Sequence, residues 1–128
     1  VVLVSEEAHL DEVKSLLTAA GASPHTLGEL AALTALPAYY TEVMVMRRET
    51  GAPRRGGAAS QVTGWRVLTR AVAKDYINAL EMRRRTFAAL HEAALTVDGE
   101  SFFVEHAVTD DPIGPDDGWF SGTSEFTY

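Results

Sequence analysis

At 128 residues, with 46% hydrophobic and 23% charged side chains, the chain has the size and composition of one ordinary globular domain. It contains no cysteine, which excludes structural disulfides and thiolate metal sites. No apolar run approaches ~18 residues, so no transmembrane helix is expected. The opening VVLV is too short for a signal-peptide core and has no basic flank.

The net charge of −7 is unevenly spread. Residues 1–46 carry one Lys against six acids, net −5. Residues 47–85 carry nine Arg and one Lys against three acids, net +7. Residues 86–128 carry nine acids and no Lys or Arg, net −9. A basic middle between acidic ends can meet an anionic partner, acids of its own fold, or acids of a neighbouring copy. Acids outnumber bases, which favours protein-to-protein pairing.

Ser5-Glu6-Glu7 reads as a helix start, with a capping hydroxyl and two acids at the positive end of the dipole. Leu10, Val13, Leu17 and Ala20 follow at helical spacing and Gly21 stops the run, predicting a helix over 6–20. Ser23-Pro24 suggests a second, short helical turn that ends by Pro37. From Tyr39 to Arg48 the period becomes two, with apolar residues on both faces, as in a strand covered at its centre. Val62–Val72 reads as the next strand, with Trp65, Val67, Thr69 and Ala71 on one face. Between these strands, residues 50–61 form a Gly- and Arg-rich loop with little to bury, expected to be flexible.

Lys74–Ala94 is the longest predicted helix, with Tyr76, Leu80, Phe87, Leu90 and Ala94 on one stripe and Arg83 inside it. Arg83 then either snorkels to the edge on a packed stem or pairs with a carboxylate, its own or another subunit's. Asp98-Gly99 between β-formers predicts a two-residue hairpin, with a strand after it running to about Val108. Trp119–Tyr128 supplies a last strand. The expected architecture is α+β: a mainly antiparallel sheet packed against an N-terminal helix and one long central helix, in a single domain over 1–128.

The stretch DDPIGPDDGWF, residues 110–120, invites a metal or acid-catalysis reading. It does not fit the calcium-loop spacing, and its paired acids are adjacent and point apart. His9, His25, His91 and His106 form no i,i+4 pair or HExxH motif and read as solvated surface or helix-face histidines. There is no GxSxG, dinucleotide or Walker pattern, so no catalytic residue, metal or cofactor is assigned. Pro112 and Pro115 keep the stretch out of helix, and Asp117-Gly118 supplies a turn before Trp119, which is the expected anchor.

Three segments carry a resemblance: TGWRVLTRAVAKDYINALEMRRRTFAAL at 63–90, LTVDG at 95–99 and DPIGPDDGWFSGTSEFTY at 111–128. Together they resemble the tail terminator proteins of long, non-contractile-tailed phages of actinobacterial hosts, whose GC-rich genomes suit the Arg and Ala bias. The resemblance implies a structural virion protein without enzyme activity, assembled in the host cytoplasm. It implies a homo-oligomeric ring, commonly a hexamer, that caps the head-proximal end of the tail tube. Such a ring ends tube polymerisation and joins the tube protein to the head–tail connector or stopper. DNA passes through its lumen without being read, and no membrane is involved.

A closed ring joins one patch to a different patch on the next copy. On this reading Arg47, Arg48, Arg66, Arg70, Arg83, Arg84 and Arg85 are candidates to meet carboxylates such as Asp110, Asp111, Asp116 and Asp117 of a neighbour. Arg54 and Arg55 would then reach out on the 50–61 arm, and Trp119 would anchor the acidic edge. The competing expectation pairs these charges within one chain. Other readings are a head–tail adaptor or stopper, a small α+β enzyme or ligand-binding domain with a pocket at Tyr39, Trp65 or Trp119, and a nucleic-acid-binding module using the Arg-rich middle.

Overall fold

A computed structural model of the chain describes residues 6–48 and 64–128. The elements in chain order are α1 (Glu6–Ala19), β1 (Pro24–His25), α2 (Leu27–Ala32), β2 (Tyr39–Arg48), β3 (Gly64–Ala73), α3 (Tyr76–Leu90), β4 (Ala94–Val97), β5 (Glu100–Phe103), β6 (Glu105–Thr109), β7 (Ile113–Asp116) and β8 (Trp119–Thr127). This is the expected α+β class. The predicted loop at 50–61, the start of the second strand at 62–63 and the Ser5 cap lie outside the described residues.

The main sheet runs β1-β2-β3-β8-β6, and β7 also pairs with β8. Only β1 is parallel to its neighbour; β2, β3, β8, β6 and β7 pair antiparallel. The covered face of β2, β3 and β8 carries Thr41, Val43 and Val45, then Trp65, Val67, Thr69 and Ala71, then Ser124 and Phe126, all buried. Alternation places these residues on one side of the sheet. Helices α1 and α3 lie against that side, and Val13, Leu17 and Leu90 complete the core with it. The opposite face carries Glu42, Met44, Leu68, Arg70, Arg66, Thr123 and Glu125, only part-buried or exposed.

Helix α1 ends as its sequence asks. Gly21 has φ +75, the Ala22 N–H donates to the Leu17 carbonyl at 3.0 Å, and the Gly21 N–H donates to the Thr18 carbonyl at 3.0 Å. This pair of bonds closes the helix in a Schellman turn. Arg85 on α3 donates to the Gly21 carbonyl at 3.0 Å, tying the two helices at that end.

Several expectations need correction. The short helix starts after Thr26, not at Ser23-Pro24. The Thr26 hydroxyl accepts from the Glu29 N–H at 3.2 Å, so Thr26 is the stronger cap, while Pro24-His25 extends along β2. That helix stops at Ala32, well before Pro37. The long helix is shorter than 74–94: Asp75 caps it by accepting from the Asn78 N–H at 2.8 Å, and His91 ends it. Its buried residues are Ala79, Met82, Thr86 and Leu90; Tyr76 and Phe87 are exposed. The helix is rotated toward its small side chains because it packs over the centre of the sheet, where Thr41, Ala71 and Gly122 leave a shallow surface. Thr86 sits against Thr41 there and donates back to the Met82 carbonyl at 2.9 Å.

The hairpin at Asp98-Gly99 forms as predicted, with φ 48° and 80° at its two turn residues. Its second strand does not continue to Val108. It breaks at Val104, which is buried, donates to the Ala93 carbonyl and accepts from the Glu92 N–H. As a result β4-β5 is a separate two-stranded sheet, and β6 joins the main one.

Candidate functional site

The stretch that first looked like an acid site is the tip of a second hairpin. Strands β6 and β7 lie end to end along one edge of β8, and each pairing carries its own register shift, between His106 and Val108 in β6 and between Ile113 and Asp116 in β7. Asp117 and Gly118 close the turn with φ 52° and 83°, which matches the first hairpin. Gly114 takes φ 141°, and a Cβ there would stand 2.6 Å from the Trp119 carbonyl oxygen. A Cβ on Gly122 would meet Pro112 at 3.1 Å, so the two strands touch backbone to backbone. The prolines exclude helix as expected, but residues 113–116 form an edge strand rather than a bare connector.

This hairpin exposes Val108, Asp110, Asp111, Ile113, Asp116 and Asp117 together. Ile113 is 74% exposed. An isoleucine that open among four carboxylates is an apolar contact point with an acidic rim. Trp119 is part-buried: its ring stands 6.1 Å from that of Tyr40, and the Lys74 ammonium lies 5.3 Å above it. It ties the turn end of the hairpin to Tyr40 of β2 and to Lys74, which follows β3.

Beside the hairpin, Leu80, Arg83, Arg84 and Phe87 of α3 face His106, Thr109 and Asp111 across an open groove of about 550 Å³. Phe87 stacks on His91 at 4.5 Å and meets the edge of His106 at 5.1 Å. His106 Nε2 lies 2.5 Å from the Thr109 hydroxyl. The floor of the groove is apolar and its rim carries two guanidinium groups, so it can take an apolar group that bears an acid.

Five of the arginines selected from sequence have carboxylate partners within the chain. Arg66 makes a bidentate contact to Glu125, at 2.7 and 3.2 Å. Arg70 donates to Glu42 at 2.7 Å. Arg83 donates to the Asp110 carbonyl at 3.0 Å and to Asp111 at 3.1 Å. Arg84 and Arg85 share Glu81, whose carboxyl is held down at about 2 by the bonds from Arg84 and then Arg85. Arg84 is raised in turn by the same contact. Arg83 therefore keeps a part-buried stem with an exposed partner on the hairpin. Arg47 lies 5.5 Å from the centre of the Trp65 ring. The side chain of Arg48, with Arg54 and Arg55, lies outside the described residues.

Sequence reading missed one cluster entirely. His9 was expected at the solvated surface or on a helix face; it lies on α1 and is 1% exposed. Its ring stacks on Trp65 at 3.7 Å, and Nδ1 sits 2.8 Å from the Tyr128 hydroxyl. Burial lowers His9 from the ordinary imidazole range, opposed by Asp98 and Glu100 and reinforced by Arg47. Burial likewise raises the Tyr128 phenol. Trp65 is covered by this stack and is itself buried. The backbone ties the cluster further: Trp65 and Tyr128 exchange N–H to carbonyl bonds at 2.7 and 3.0 Å. The cue was the apolar register, since His9 precedes Val13 by four residues.

Among the described residues no group of three or more His, Asp or Glu is placed to hold a metal ion. No described helix is long and apolar enough to cross a membrane. Comparison with protein-family models and with curated proteins returns no match.

Proposed function

We propose that this chain is a ring-forming tail terminator of a long-tailed phage, a structural protein that caps the tail tube and presents a surface to the head connector. The resemblance of residues 63–90, 95–99 and 111–128 supports the family, and the α+β architecture is compatible with it. The observation that carries the assembly is the exposed hairpin, where Ile113 projects among Asp110, Asp111, Asp116 and Asp117. Heterologous ring contacts need two different patches on one subunit. The acidic hairpin is one, and the arginine-bearing groove on α3 is chemically suited to be the other. The intrachain Arg83–Asp111 pair is exposed enough at Asp111 to exchange for an intersubunit one.

Purified tail tubes assembled without heads provide the test. The expected result is a six-fold ring at one tube end by electron microscopy, with tube length fixed by its addition. Failure to bind tubes, with binding to head connectors instead, favours an adaptor or stopper. Charge reversal of Asp116 and Asp117 to Lys should abolish ring closure while leaving the monomer's circular dichroism unchanged. Unaltered rings in that variant would remove the hairpin from the interface.

A further inference from the structure

The exposed isoleucine of the second hairpin and the groove on α3 lie on opposite faces of the sheet, as the strand registers require. Residues paired across antiparallel strands point to the same face. Ile113 pairs with Ser121, which alternates out of step with Ser124 and Phe126 of the covered face. Ile113 therefore stands on the side away from α1 and α3. His106 pairs with Phe126 and stands on the helix side, where its ring meets those of Phe126 and Phe87. The groove between α3 and β6 opens on that side.

The charges at the two places are unbalanced in opposite senses. At the groove rim Arg84 and Arg85 share one carboxylate, that of Glu81, and the Arg84 side chain is 67% exposed. On the hairpin Arg83 takes up Asp111. None of the ion pairs among the described residues uses Asp110, Asp116 or Asp117. The groove has cationic charge to share, and the hairpin has carboxylates to give.

We propose that Ile113 of one copy seats against Leu80 and Phe87 in the groove of the next copy, with Asp116 and Asp117 of its hairpin turned to Arg84 on the rim. A second copy is the occupant because it carries the complement of the groove: an open aliphatic side chain beside unpaired carboxylates. A chain cannot fill its own groove, since its own isoleucine faces the other way. For the same reason the contact is one-way. The copy that gives Ile113 keeps its own groove open, and the copy that receives it keeps its own isoleucine free. Such a heterologous contact repeats head to tail until it closes into a ring. Burial of the isoleucine supplies attraction, and the rim charges fix the orientation. This inference rests on the ring reading and names the contact that builds the ring.

The chain has no cysteine, so single-cysteine variants report the contact directly. Ile113→Cys and Leu80→Cys chains are mixed on purified tail tubes and oxidised mildly. A disulfide forms only where the two Cβ atoms approach to about 4.5 Å. Cross-linked dimers are expected from the mixture and not from either variant alone. Arg84→Cys replaces Leu80→Cys if that variant folds poorly. Adding Asp116→Lys and Asp117→Lys to the Ile113→Cys chain should abolish the cross-link. Dimers from Ile113→Cys alone overturn the proposal, because hairpin then meets hairpin. A cross-link that survives the two lysines also overturns it. Rings seen by electron microscopy without the cross-link overturn the contact and leave the tail-terminator reading standing. The cross-link without rings upholds the contact and removes that reading. Neither rings nor cross-link removes both.

Discussion

The two hairpins have the same turn and opposite surroundings. Asp98-Gly99 and Asp117-Gly118 adopt nearly the same pair of positive φ angles; the first joins two four-residue strands and the second joins a four-residue strand to the nine-residue β8. The first hairpin points Leu95 and Val97 into the core, while Ala94, Thr96, Ser101 and Phe103 stay in water with its turn. The second lies along β8 and leaves Ile113 and four carboxylates exposed. Turn chemistry thus specifies a local shape, while the strands beside it decide whether that shape stabilises the fold or faces a partner.

Mutations can test this contrast. The largest loss is expected in the first hairpin: Leu95→Ala removes a fully buried side chain and should cost about 2–5 kcal/mol in urea unfolding. In the second hairpin, Gly114→Ala combines a left-handed φ with a backbone collision, and about 1–3 kcal/mol is expected from the same measurement. A value near zero would show that the edge strand can shift without disturbing the sheet. Gly99→Ala and Gly118→Ala meet nothing within 4 Å, so each should cost only the left-handed strain, ~1–2 kcal/mol, and nearly the same amount. Unequal costs would break the claim that the two turns are equivalent.

The pH response should track the first hairpin's side of the molecule. Burial holds His9 below the value of 6.5 that it has when unfolded, so the unfolded chain binds the proton better. The stability from this source is complete above pH 6.5 and is lost as pH falls below it. Unfolding free energies at pH 7.5 and 5.5 should therefore differ more in the unaltered chain than in His9→Phe. Equal differences would remove His9 as the cause. The smallest effect belongs to Ile113→Ser, where stability should change by less than about 0.5 kcal/mol. Assembly on tail tubes should nonetheless fall, which a purely solvated hairpin would not show.

What the sequence disclosed follows from how local each signal is. Strand β2 and both Asp-Gly turns were legible because their patterns act over a few residues. The phase of α3 was not, because the large residues Tyr76 and Phe87 outweigh Ala79 and Thr86 in any stripe, and only the shallow centre of the sheet reverses that preference. His9 carried one local cue, its place four residues before Val13, but its partners Trp65 and Tyr128 meet it only in the folded chain. Arg84 and Arg85 reach Glu81 at the local helical spacings i,i+3 and i,i+4; the pairing of the other arginines with Glu42, Asp111 and Glu125 depends on the register between strands and on the hairpin's path.

The pairing of β3 with β8 carries a kinetic consequence. It joins Arg66 to Thr127 and Ala73 to Phe120, with α3 and the first hairpin lying between the two strands in the chain. Helix α3 and both hairpins can form early from nearby residues, but the sheet is not continuous until that long loop closes. Refolding should therefore be limited by the search that brings β8 beside β3, and changes at Ser124 or Phe126 should register in the refolding rate if that contact is made at the barrier.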